Sequence, residues 1–319
     1  MPANLPQPEV LSVANLSPFF AGPLQAAFTV HQRLHETDAA GFAKLAPGIR
    51  AIAASGESKV SAELIAQLPK LEIISVMGVG YDAIDVAAAK ARGAVVTHTP
   101  GVLNDDVADL AIGLMLAAAR QLPAADRYVR AGSWPNAPMP LARKMSGARL
   151  GLVGMGRIGQ AIAHRAAAFG MNIAYTARSA KVELPFKYFA SAAALAAESD
   201  FLVVITPGGA GTRKLINAEV LAALGTKGIL VNVARGSVVD EAALIDALER
   251  GLIGGAGLDV FESEPQVPER LRALPQVVLA PHIGSATTQT RQAMADLAFG
   301  NLQAHFAGKA LLSPVPECQ

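Results

Sequence analysis

Residues 150–162 read "LGLVGMGRIGQAI", and this stretch decides the fold. An apolar, strand-like run ends at Val153, three glycines follow in the spacing G-x-G-x-x-G, and a helical pattern opens behind them. Each glycine meets a different demand. Gly154 permits a tight turn, Gly156 lets backbone approach a pyrophosphate, and Gly159 lets the helix pack on the strand. The helix start then offers unpaired N–H groups and a positive dipole to phosphate. Met155, Arg157 and Ile158, which lie between the glycines, join them as candidate cofactor-binding residues. The motif alone is weak. Set between two strand patterns and opening a helix, it points to a dinucleotide site rather than a glycine turn that serves packing alone.

The fingerprint calls for an Asp or Glu about 20 residues on, bonded to the ribose 2′-hydroxyl. Here the next strand ends in Tyr175-Thr176-Ala177-Arg178-Ser179, with no acid among them. Arg178 with the neighbouring hydroxyl of Ser179 suits a 2′-phosphate, through charge-assisted hydrogen bonds, and Thr176, at the strand end where a ribose-binding acid would sit, is a further cofactor-binding candidate. A carboxylate there would repel that phosphate. The competing reading is an arginine solvated in a loop. The expectation is NADP(H) as the preferred cofactor, with NAD(H) possible.

Outward from this unit, apolar runs and helical patterns alternate almost from end to end, as in parallel α/β sheets. Upstream, "EVLSVAN", "IRAIAAS", "LEIISVMG" and "AVVTHTP" read as strands. Downstream of the fingerprint strand come "NIAYTA", "DFLVVIT", "GILVNVA", "GAGLDVF" and "VVLAPH". "NDD" at Asn104 to Asp106 opens a long helix, its acids serving as caps and complements to the helix dipole. "AARQLPAADRYVRAGSWPNAPMP" reads as a Pro- and Gly-punctuated arm or loop. One more helix, "TTQTRQAMADLAFGNLQAHFAG", follows the last strand. The pattern predicts two doubly wound parallel-sheet α/β domains. A Rossmann cofactor domain over 101–285 is inserted into a flavodoxin-like substrate domain made of 1–100 and 286–319.

The 319 residues suffice for two cores. A formal net charge of +1, with basic residues scattered, gives no footprint for nucleic acid or an anionic membrane. Cys318 is the single cysteine, so no intrachain disulfide is possible, in keeping with a reducing cytosol. "MPANLPQPEVLSVANL" lacks the basic-then-apolar layout of a signal peptide. "VADLAIGLMLAAAR" carries Asp109 and is too short to span a bilayer. These features predict a cytoplasmic protein without nucleic-acid or membrane partners.

Ligands of open parallel sheets bind beyond the carboxyl ends of strands. The last four strand patterns end near Thr206-Pro207, Arg235, Asp259 and His282, with Glu264 just past the third. An arginine, two acids and a histidine thus converge at one sheet edge. Singly, each has a bland reading: a surface arginine at a turn, acids capping helices or turns, a loop histidine. Jointly, behind a dinucleotide fingerprint, they point to chemistry. His31 and His35 have an i, i+4 spacing without a third ligand, so no metal is expected. His98, His164 and His305 fall at a strand end and on helix surfaces and are given no function.

"GVGYDAIDVAAAKARG", "TPGVLNDDVADLAIGLML", "GLVGMGRIG", "VNVARGSVVDEAAL", "GGAGLDVFESEP" and "LAPHIGSAT" together resemble the D-isomer-specific 2-hydroxyacid dehydrogenases, from about residue 70 to the end. Within that family the chain is most similar to NADPH-dependent glyoxylate/hydroxypyruvate reductases and hydroxyphenylpyruvate reductases. The resemblance implies that Arg235 binds the substrate carboxylate and polarises the keto oxygen. It implies that His282 is the general acid in reduction and that Glu264 holds its imidazole. Val79 and Gly80 would offer backbone N–H groups to the substrate carboxylate. Thr206, Pro207, Thr212, Val233, Ala234, Asp259 and Gly284 would line the cofactor. Family members are usually homodimers with arms like the segment around Trp134. "TPGGAGTRKLIN" departs from the more polar turn usual in relatives.

Negative charge develops on the keto oxygen during hydride transfer, and a fixed guanidinium and an imidazolium would stabilise it. The expected substrate is a small 2-keto or 2-hydroxy acid, and no metal is required. Two other readings stay open: an NAD-linked dehydrogenase of a larger 2-hydroxy acid such as hydroxyphenyllactate, and a non-catalytic dinucleotide-sensing protein on the same fold.

Overall fold

The structure, a computed structural model, describes residues 7–319, so the first six positions of the stretch read for a leader lie outside the described residues. The chain forms two compact units. One combines residues up to Leu103 with Thr287–Gln319, and the other runs from Asn104 to Ala286.

In the outer unit the strands are β1 (Glu9–Ser12), β2 (Thr29–Gln32), β3 (Ile49–Ser55), β4 (Ile73–Met77) and β5 (Val95–Thr97). They pair in parallel in the order β2-β1-β3-β4-β5, the flavodoxin-like arrangement. β4 is buried along its whole length because helices cover both faces of a parallel sheet. Leu11, Ile52, Ile74 and Val96 share one core cluster. Buried Ser75 is the polar exception on β4, and its hydroxyl donates to the Ala298 carbonyl at 2.8 Å. Ala298 lies on the long helix Thr288–Phe306, so the chain's last helix completes a sheet begun at its first strand.

The inner unit carries β6 (Arg149–Val153), β7 (Asn172–Thr176), β8 (Lys187–Tyr188), β9 (Phe201–Val204), β10 (Ile229–Asn232), β11 (Gly255–Leu258) and β12 (Val277–Leu279). All pair in parallel, in the order β12-β11-β10-β9-β6-β7-β8. This is the Rossmann order with a seventh strand added, and the strand order reverses between β6 and β9. A ligand crevice belongs at that reversal, beyond the carboxyl ends of the strands. The helix Asn104–Arg120 packs under the sheet, close enough that a Cβ on Gly257 would sit 3.0 Å from the Leu114 Cβ. Asp105 and Asp109 on its exposed side both pair with Arg165 of the helix Arg157–Ala168, at 3.0 and 2.5 Å.

Two edge strands and one helix go beyond the sequence reading. β2, "TVHQ", is an unread strand: its residues are exposed or half-buried, so no apolar alternation marks it. β8, two residues long at the other sheet's edge, was likewise invisible to periodicity. Within the supposed loop 118–140, Leu122–Arg130 is a helix, because Pro123 falls in its first turn, where no N–H is needed. None of that helix is buried, so it is indeed no core element. His31 and His35 share no helix face. His31 is on β2, with Nε2 3.1 Å from Glu9, and His35 is in a separate four-residue helix. No single helix among the described residues is long and apolar enough to cross a membrane.

Candidate functional site

The glycine loop leaves β6 with the geometry its spacing predicts. Gly154 has φ +111°, and a Cβ there would lie 2.9 Å from the Ile205 backbone and the Thr206 nitrogen. The turn is therefore wedged against the end of β9, at the strand-order reversal. Gly159 would place a Cβ 2.4 Å from the Gly154 carbonyl oxygen, so helix and turn are in direct contact there. At Gly156 a Cβ would meet nothing within 4 Å. The space in front of that backbone is open, as a pyrophosphate requires. Gly156 caps the helix Arg157–Ala168 without any side-chain hydrogen bond. Its first N–H groups are thus not occupied by a capping side chain, and the donor set suits a dinucleotide phosphate. Met155 is buried, Arg157 is exposed and Ile158 half-buried.

Thr176 ends β7 and is buried, and its carbonyl accepts the Gly154 N–H at 2.9 Å. Arg178 and Ser179 follow it, exposed, in the loop between β7 and β8. Past β9, the turn after Thr206-Pro207 is shaped by Thr212, whose hydroxyl donates to the Pro207 carbonyl at 2.7 Å. Gly209, at φ +127°, supplies a backbone conformation that a residue with a Cβ would resist. Thr212 therefore builds its loop from within. That explains how a "GGAG" turn holds a defined shape.

β10 delivers Val233, Ala234 and Arg235. Buried Asn232 organises the exit: its Oδ1 accepts the Ala234 N–H at 3.1 Å, and its Nδ2 donates to the Arg235 carbonyl at 3.0 Å. A Cβ on Gly236 would collide with the Phe261 backbone at 1.9 Å, so the ends of β10 and β11 are pressed together. This proximity brings the half-buried Arg235 guanidinium into the field of Glu264.

Glu264 and His282 meet directly, Oε2 to Nδ1, at 2.7 Å, each about one quarter exposed. The other carboxylate oxygen accepts the Phe261 N–H at 2.8 Å. Burial pushes the Glu264 carboxyl up, but those two hydrogen bonds and the charges of His282 and Arg235 outweigh it. It lies below its ordinary value. An ionised carboxylate only accepts, so a His282 proton sits on Nδ1, facing Glu264.

Asp259 holds this histidine's loop. Its side chain is 1% exposed, and its two oxygens accept the Ile283 and Gly284 N–H groups at 2.7 and 2.8 Å. Its own carbonyl accepts the His282 N–H at 2.8 Å. Burial raises the Asp259 carboxyl, with only partial compensation from those N–H groups. The latch has a load to bear: His282 has φ +53°, in the left-handed region, which costs a non-glycine residue ~1–3 kcal/mol. Each Asp259 oxygen thus accepts one backbone N–H and keeps a second lone pair. Gly284 is part of the same latch, since a Cβ there would sit 3.1 Å from Asp259 Oδ2.

Val79 and Gly80 lie in the outer unit, in the loop leaving β4. A Cβ on Gly78 would meet the Gly56 Cα at 2.7 Å. The His98 Nδ1 binds the Val79 carbonyl at 3.0 Å, and the Thr99 N–H donates to the Gly78 carbonyl at 2.8 Å. His98, given no function from sequence, thus supports the loop. His164 is exposed on its helix, and His305 pairs with Glu72 at 2.9 Å. The residues missed in the sequence, Asn232, His98 and the Phe261 N–H, all act through hydrogen bonds that close on residues far along the chain or on backbone. No spacing pattern announces them.

Comparison with known proteins agrees with this geometry. The family described as D-isomer specific 2-hydroxyacid dehydrogenase, NAD binding domain, matches residues 112–284. A hydroxyphenylpyruvate reductase of Plectranthus scutellarioides is 52% identical over 270 residues, covering 85% of this chain and 86% of the relative. A glyoxylate/hydroxypyruvate reductase of Arabidopsis thaliana is 52% identical over 267 residues, 84% of this chain and 85% of its own. Among solved structures, the NADPH-dependent glyoxylate/hydroxypyruvate reductase of Sinorhizobium meliloti, in complex with NADP and malonate, superposes with a TM-score of 0.92. It is 46% identical and covers 98% of each chain.

Proposed function

The chain belongs to the D-isomer specific 2-hydroxyacid dehydrogenase family, and from that premise we propose that it reduces a small 2-keto acid of the glyoxylate or hydroxypyruvate type to the D-2-hydroxy acid with NADPH. The observation that carries this reading is the 2.7 Å His282–Glu264 pair beside Arg235. NADPH, when bound, supplies the hydride. The protein's own residues do the rest. Gly154, Gly156, Gly159 and the helix start at Arg157 hold the pyrophosphate, and Arg178 with Ser179 takes the 2′-phosphate. The Arg235 guanidinium binds the substrate carboxylate and faces the keto oxygen, where negative charge grows. His282, charged and held by Glu264 through Nδ1, gives its Nε2 proton to that oxygen.

We further assign the enzyme a cytoplasmic homodimer. The segment 122–141 supports self-association: Leu122, Val129, Trp134 and Leu141 are each more than half exposed. A single substrate panel tests the catalytic reading. Glyoxylate, hydroxypyruvate, pyruvate and 4-hydroxyphenylpyruvate are each offered with NADPH or NADH, and cofactor absorbance is followed. The fastest turnover is expected with NADPH and glyoxylate or hydroxypyruvate. A preference for 4-hydroxyphenylpyruvate would favour the second reading, which the equally similar Plectranthus relative keeps open. No turnover with any pair would leave a binding protein.

A further inference from the structure

Tyr175 is the bulkiest side chain buried to this degree, only 1% exposed on β7, yet it carries a hydroxyl. A phenylalanine would fill the same core volume with no polar atom to satisfy. The hydroxyl reaches the chain again six residues later. It accepts the Lys181 N–H at 2.6 Å and lies 3.4 Å from the Lys181 carbonyl, to which it donates. Tyr188 on β8 packs against the Tyr175 ring, with centroids 5.6 Å apart, and donates its own hydroxyl to the Ala177 carbonyl at 3.4 Å. The loop 177–181 is thus held at both ends by tyrosine hydroxyls, while its crown, Arg178-Ser179-Ala180, is exposed. Just before the loop, the Thr176 carbonyl is tied to the Gly154 N–H of the glycine turn at 2.9 Å.

We infer that Tyr175 is a positioning residue for cofactor selectivity, seconded by Tyr188. It fixes the loop that presents Arg178 and Ser179, so the 2′-phosphate meets a preformed cradle. An exposed arginine on an untethered five-residue loop would have to be ordered at the moment of binding, and affinity would fall by that ordering cost. The inference rests on the NADPH reading above and says how that preference is built. It concerns the 2′-phosphate alone, because the pyrophosphate is met by the glycine turn on another strand.

The test uses the full-length protein and two adenosine ligands, 2′,5′-ADP and 5′-ADP, with binding measured by calorimetry so that turnover is not needed. For Tyr175→Phe we expect 2′,5′-ADP to bind about two- to tenfold more weakly, the loss typical of one neutral hydrogen bond, while 5′-ADP is unchanged. Tyr188→Phe, on the edge strand, is expected to show the same selective loss at the lower end of that range. In kinetics the KM for NADPH should rise in step, with kcat and the KM for NADH unmoved. Arg178→Ala separates the inference from the reading beneath it. If Arg178→Ala weakens 2′,5′-ADP selectively and neither tyrosine variant does, the inference fails and the NADPH reading stands. If Arg178→Ala weakens neither ligand, the NADPH reading itself fails. Equal weakening of both ligands by Tyr175→Phe would overturn the inference in favour of a general packing role.

Discussion

Replacing Glu264 by Gln isolates one charge with almost no change of shape. In the parent, one carboxylate oxygen accepts the Phe261 N–H at 2.8 Å and the other faces His282 Nδ1 at 2.7 Å. A glutamine has a single oxygen for these two donors. If it keeps Phe261, its NH2 group points at Nδ1, which can then bind only as an acceptor. The neutral imidazole is favoured and the imidazolium disfavoured. A hydrogen bond between charged groups is worth about 1.5–3 kcal/mol, and one pH unit corresponds to about 1.36 kcal/mol. The pH above which reduction fails should therefore move down by roughly one to two units, nearer one because both groups are about a quarter exposed. The assay is kcat/KM for NADPH-dependent glyoxylate reduction across pH, which reports the free enzyme's essential acid. Superimposable profiles for parent and variant would refute the pairing as the source of His282's charge. Stability gives a second check with a defined sign. The Glu264 carboxyl lies below its ordinary value of 4.5 in the fold, so its contribution is fully present above that pH. That contribution is lost as pH falls through the lowered value, and the parent's advantage over Glu264→Gln should shrink in acid.

Other outcomes follow from the same geometry. His282→Ala should lower kcat by about 10²–10⁴ with NADPH affinity nearly intact, and near-normal kcat would remove His282 from proton transfer. Arg235→Lys keeps the charge but loses the planar fork, so kcat and the KM for the keto acid should both worsen. A change in NADPH affinity alone would place Arg235 in the cofactor site. Asp259→Asn leaves one oxygen for two N–H donors and frees the left-handed backbone at His282. We expect kcat to fall with little change in NADPH dissociation constant, whereas a lost cofactor affinity with intact kcat would return Asp259 to the cofactor.

How far the sequence reaches depends on the range of the forces involved. The parallel sheets are legible because strands such as β4 and β9 are buried on both faces and read as unbroken apolar runs. β2 and β8 sit at sheet edges, where half-exposed side chains carry no period, and they are illegible for that reason. In the candidate site, the glycine turn is readable residue by residue, since each glycine answers a local steric demand. The adjacency of Glu264 and His282 is a different matter: 18 residues and a strand separate them, and only family resemblance suggested the pair. Asp259 shows the limit most clearly. Its place at a strand end is visible, but nothing local says that its carboxylate accepts two backbone amides from 24 and 25 residues further on.

The outer sheet's dependence on the last helix has a consequence for biosynthesis. When Ala286 has just been joined to the nascent chain, every strand of both sheets has been made, and the inner unit is complete in sequence. The outer unit is not. Ser75, at 0% exposure in the finished protein, must still wait for the carbonyl of Ala298, more than two hundred residues downstream. Until the ribosome releases the 288–306 helix, β4 keeps one apolar flank and one buried-to-be hydroxyl uncovered. The outer unit therefore cannot close until the end of the chain has been made, although its first 103 residues are the first to emerge.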